Sequence, residues 1–134
     1  MNAFAIWPEA EPMLRTYLEF AGNPKANRSL FYSWEWLNWV CRQHPEEGLE
    51  SLAWLIDRAP NEQVLEVIGC GHLQDLLWQH PSYAEQIIAM AKTSRSFYLA
   101  ARWCELDDED LGAERANEFQ SQLDASPFAA KNGA

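Results

Sequence analysis

Apolar residues recur every three to four positions over most of the chain, the period of amphipathic helices. Met13, Leu14, Tyr17, Leu18 and Ala21 mark a first helix, opened at Pro8 or Glu9 and ended by Gly22-Asn23-Pro24. A second, capped by Ser29 or Ser33, runs to about Gln43, and Pro45 opens a third through Leu49, Leu52, Ala53 and Ile56 to Ala59-Pro60. Asn61 caps a short fourth helix with Val64, Leu65 and Ile68, and Ser82 and Ser94 or Ser96 cap later ones. No stretch alternates apolar and polar residues as a strand does. The pattern predicts an all-α fold of seven to eight short helices in one domain over 1–124, with its core in 30–103. An acidic helix over about 107–123 and a flexible tail over 125–134 follow.

The stretch from Ile68 to Pro81 reads as the joint of this arrangement. Gly69 and Gly71 suit a tight turn between helices, with φ > 0 or a close approach at Gly71. Leu73, Leu76 and Leu77 then begin a new helix, Asp75 caps its first turn, and Pro81 stops it. The joint has an echo: Leu37, Val40, Cys41 and Gln43-His44-Pro45 match Leu73, Leu76, Leu77 and Gln79-His80-Pro81 at a spacing of 36 residues. That spacing suits a two-fold helical-hairpin repeat, and it makes Cys41, in place of an apolar residue, the most buried cysteine.

Composition narrows the function. Twenty acidic residues against ten basic ones leave a net charge of −10. A nucleic-acid binder carries a basic patch and a membrane-surface helix a basic face, and neither is visible. No apolar run has the length of a membrane span, no basic leader precedes an apolar run, and three cysteines without a CxxC pair do not make a disulfide framework. The cytoplasm is therefore the expected compartment.

Candidate chemistry is sparse. Cys70 and His72 sit too close along the chain to face each other as nucleophile and base. Cys70, His72, His80 and Cys104 match no common zinc spacing. Asp75 after His72 is better explained as a cap than as an acid–base partner. Gly-x-Gly lacks the strand and the third glycine of a phosphate loop. No catalytic set, metal site or cofactor is expected.

The binding features are stronger. Trp34, Trp36 and Trp39 point in too many directions for one helix face, so some indole surface is expected at a partner. Asp107, Asp110, Glu114 and Glu118, at steps of three and four, share one face of the last helix. The helix dipole explains acidic residues at its start but not the later ones. They form an acidic ridge suited to a basic protein.

The order helix–Pro–helix–Gly-x-Gly-x-Leu-x-Asp-Leu-Leu–helix resembles a bacterial all-helical family of unknown function. It is carried by Trp36, Pro45, Ala59-Pro60, Gly69-Cys70-Gly71, Leu73, Asp75 and Leu76-Leu77, within about 30–103. Gln74 stands where that family often has a carboxylate, which weakens any acidic-pair chemistry there. The resemblance implies a fold and a bacterial source, and no activity. The expected function is that of a non-enzymatic, acidic protein-binding module, specifically a bacterial immunity or inhibitor protein covering the site of a basic toxin. A helical scaffold without inhibitory activity is the competing expectation.

Overall fold

The computed structural model describes residues 7–106 and 112–129. It is all-α, with eight α-helices and no strand among the described residues. They are α1 (Ala10–Gly22), α2 (Tyr32–Gln43), α3 (Pro45–Arg58), α4 (Glu62–Ile68), α5 (Gln74–Gln79), α6 (Ala84–Thr93), α7 (Arg95–Ala101) and α8 (Ala113–Asp124). One hydrophobic core runs through them, from Leu14 and Tyr17 on α1 to Phe119 and Leu123 on α8.

Local chemistry sets most boundaries. Pro45 lacks the N–H that a first-turn residue leaves unused, and it opens α3. The Asn61 side chain accepts from the Val64 N–H at 3.0 Å, and Ser94 Oγ from the Phe97 N–H at 3.2 Å. Ser33 does not cap α2. It lies inside the helix, and its hydroxyl donates back to the Leu30 carbonyl at 2.7 Å. Ser82 lies within a short 3-10 turn, Pro81–Tyr83, that leads into α6.

The joint differs from its expected form. Gly69 and Gly71 do not break the chain into two helices. Residues Gly69–Leu73 form a π-turn, and helical backbone continues through it from α4 into α5. The reason lies in the spacing of the apolar residues. Val64, Ile68, His72 and Leu76 are buried at steps of four, as are Leu65, Gly69, Leu73 and Leu77. A step of four overshoots an α-helical turn by about 40°, so three steps would swing the stripe by about 120°. One i→i+5 turn absorbs an extra residue and returns about 100°. The π-turn keeps both halves of the helix facing one core.

Neither glycine is there for a left-handed backbone, since the one positive φ among the described residues is at Gly112. Their role is close approach. A side chain at Gly69 would collide with the Ala100 carbonyl of α7, and one at Gly71 would come within 2.8 Å of the outer ring edge of Trp34. Asp75 does not cap α5, because the helical backbone of the π-turn leads directly into it. Its carboxylate instead meets Arg42 Nε of α2 at 3.3 Å.

Pro81 acts as expected, ending the helix after Gln79. His44 and His80 share one backbone conformation, φ −137°, ψ 68° and φ −138°, ψ 72°. The Cys41 and Leu77 side chains are both fully buried. Beyond the prolines the two segments diverge, a fourteen-residue helix in one and a 3-10 turn in the other.

Candidate functional site

The π-turn turns its residues to two sides. His72 faces inward and is buried. Its Nε2 lies 3.1 Å from the Trp34 carbonyl and its Nδ1 lies 3.2 Å from the Tyr17 hydroxyl. A carbonyl only accepts, so Nε2 carries the proton and the Tyr17 hydroxyl donates to Nδ1. The Trp34 ring lies 4.1 Å from the imidazole, and Tyr17 stacks on Trp34 at 5.8 Å. Burial lowers the His72 pKa to about 4, against smaller opposing contributions from the Trp34 carbonyl and Asp75. Burial also raises the Tyr17 pKa, keeping it a donor. The imidazole is thus a neutral crosslink between α1, α2 and the π-turn.

Cys70 faces outward and is exposed. Both nitrogens of His72 are already engaged, so it does not serve Cys70 as a base. Burial, then the charge of Glu66, raises the Cys70 pKa, which disfavours the thiolate. Cys41 and Cys104 are buried, the former against Gly48 of α3 and the latter donating to the Gly69 carbonyl at 3.3 Å. Among the described residues no group of three or more His, Cys, Asp and Glu is placed to hold a metal ion. No described helix is long and apolar enough to cross a membrane.

The outward side continues along the helix. Glu62, Glu66, Cys70, Gln74 and Trp78 follow one another at steps of four, and the π-turn limits their drift to about 60° in all. The segment after α7 runs beside this row. Arg102 Nη2 reaches Glu62 at 4.0 Å, Trp103 lies over Gly69, and the Glu105 N–H donates to Gln74 Oε1 at 2.6 Å. Trp78 and Trp103 are 36% and 40% exposed. Neither of these two indoles was among the sequence candidates. The four-residue spacing from Glu62 to Trp78 was the signal for the first, and the glycines masked it by suggesting a break.

The tryptophans of α2 divide. Trp34 and Trp36 pack against the core, whereas Trp39 is 46% exposed and meets Trp7 and His44 edge-on. On α8, Glu114 and Glu118 are exposed, and Glu118 accepts from Gln122 Nε2 at 2.9 Å. Asp107 and Asp110 lie outside the described residues. The helix carrying Glu114 begins at Ala113, after Gly112, not near 107. A groove of about 580 Å³ separates α8 from the start of α6, lined by Pro81, Glu85, Ile88, Arg115, Glu118 and Phe119.

Residues 125–129, read from the sequence as the start of a loose tail, are anchored. Ser126 is buried and donates to the Ala91 carbonyl of α6 at 3.0 Å, while its hydroxyl accepts from the Phe128 N–H at 3.3 Å. No family model, no curated protein and no solved structure matches this chain.

Proposed function

We propose that this chain is an acidic protein-binding module, specifically a bacterial immunity or inhibitor protein acting in the cytoplasm on a basic partner such as a toxin domain. One observation carries the reading. Phe31, Tyr32, Trp39, Trp78 and Trp103 are all exposed on a chain of net charge −10. Large aromatic side chains are enriched where partners bury them, and an excess of one charge sign favours partners of the other. Glu114 and Glu118 on α8 extend the acidic surface and suit long-range steering.

The test is affinity capture on the immobilised chain with elution by salt, followed by expression of the captured protein alone and together with this chain. The expected partner is basic, is released by salt, impairs growth alone and is harmless in combination. A basic partner that is harmless alone sinks the inhibitor reading and leaves the scaffold. Capture of neutral or acidic proteins alone sinks the acidic-module reading. With the true partner, Glu114→Lys and Glu118→Lys together slow association by about tenfold at low salt and leave dissociation unchanged. An unchanged association rate excludes α8 as the steering surface.

A further inference from the structure

We propose that the outward side of the π-turn helix, with Glu66, Cys70 and Trp78 on the helix and Trp103 and Glu105 beside them, is the face that seats an arginine- or lysine-rich segment of the partner. This rests on the acidic-module reading and names the surface at which it acts.

Three observations converge on this face. The first is shape. The row from Glu62 to Trp78 is about 24 Å long at 1.5 Å per residue. The segment from Arg102 to Glu105 is tied to it at Glu62, Gly69 and Gln74. The indoles therefore stand on connected backbone held by the core beneath: Gly69 against Ala100, and Cys104 on the Gly69 carbonyl. A surface held in place before binding loses less freedom on association.

The second is charge. Glu66 and Glu105 are exposed, and neither forms a salt bridge among the described residues. Both act electrostatically on the Cys70 thiol, which places the thiol within their shared negative field. The basic neighbour Arg102 is engaged with Glu62 and with the Trp103 ring, 5.7 Å from its centroid. Arg42, on the other flank, is engaged with Asp75. Two carboxylates are thus left for an incoming cation.

The third is the aromatic component. A guanidinium or ammonium group gains from an indole face as well as from a carboxylate. Trp103 already shows that contact within the chain, with Arg102. An arginine- or lysine-rich segment offers cations to Glu66 and Glu105 and alkyl stems to Trp78 and Trp103. An acidic or uncharged apolar segment has no such match with the carboxylates.

Cys70 makes the face testable, because it is exposed while Cys41 and Cys104 are buried. The probe is a labelled peptide rich in arginine and leucine, with a glutamate-and-leucine peptide of equal length as control. At saturation the arginine peptide should slow modification of Cys70 by a thiol reagent about tenfold, and the glutamate peptide should not. Glu66→Lys with Glu105→Lys, and separately Trp78→Ala with Trp103→Ala, should each raise the peptide's dissociation rate about tenfold, which is about 1.4 kcal/mol. Glu114→Lys with Glu118→Lys carries the same charge change on another helix and should leave that rate unchanged. Equal effects from the two charge reversals would show bulk attraction and overturn the proposal, as would unprotected Cys70 at saturation. The captured natural partner separates the two readings. If it binds but leaves Cys70 open and ignores both face variants, the module stands and this face falls.

Discussion

At the scale of single residues, His72 makes the clearest prediction. Its folded pKa of about 4 lies below the ordinary 6.5. Between those values the unfolded chain binds the proton and the folded chain does not, so stability rises with pH across that window. The contribution is complete above about pH 6.5 and is lost as the pH falls towards 4. It amounts to about 3 kcal/mol over the window. His72→Phe should lower stability at pH 7, since the Trp34 carbonyl and the Tyr17 hydroxyl lose their partner. It should also flatten the dependence of urea-unfolding stability on pH between 4 and 6.5. An unchanged slope would show that His72 is not buried as a neutral group.

The two glycines of the π-turn differ in what a side chain would meet. Gly69→Ala drives a methyl group into the Ala100 carbonyl, part of a packed helix, and should cost about 2–3 kcal/mol. Gly71→Ala meets the edge of the Trp34 ring, which can shift, and should cost under about 1 kcal/mol. Thermal and urea midpoints of the two variants decide the order. The reverse order would make Trp34 the rigid neighbour.

At the scale of elements, much of the fold is legible in the sequence because boundary residues act locally. Pro45, Asn61, Pro81 and Ser94 each set a helix end with their own backbone or side chain. Residues 68–73 read less well, because glycine spacing and apolar spacing gave opposite signals there. Glycine weakens a helix by about 1 kcal/mol, while burying Ile68, Leu73, Leu76 and Leu77 on one side contributes more. Tertiary burial therefore decided the element, as it decided the anchoring of Ser126 under α6. The outward face was hidden by the same reading, since Glu66 and Trp78 align only if the helix continues.

The π-turn is itself testable. Deleting Cys70 gives a regular helix that keeps Leu76 and Leu77 on the side of Val64 and Ile68, since losing one residue and losing the π-turn shift the phase by about 100° in opposite senses. Helical content by circular dichroism and cooperative thermal unfolding should therefore both persist. Loss of cooperative unfolding would show that the π-turn does more than absorb one extra residue.

At the scale of the whole molecule, the seven tryptophans are unequally placed. Trp39, Trp78 and Trp103 are exposed, while Trp7, Trp34, Trp36 and Trp54 are partly buried. Emission from this protein is therefore a sum of two colours, a red component from hydrated indoles and a bluer one from shielded indoles. An acidic surface gathers cations and repels anions over about 10 Å at 0.1 M salt. Caesium should then quench the red component more than iodide does, after each is normalised to a neutral indole. Removing Trp78 and Trp103 should erase most of that contrast if the field is strongest beside Glu66 and Glu105. The protein's own fluorescence becomes a voltmeter, reading the sign and strength of the potential at the surface where a partner would first arrive.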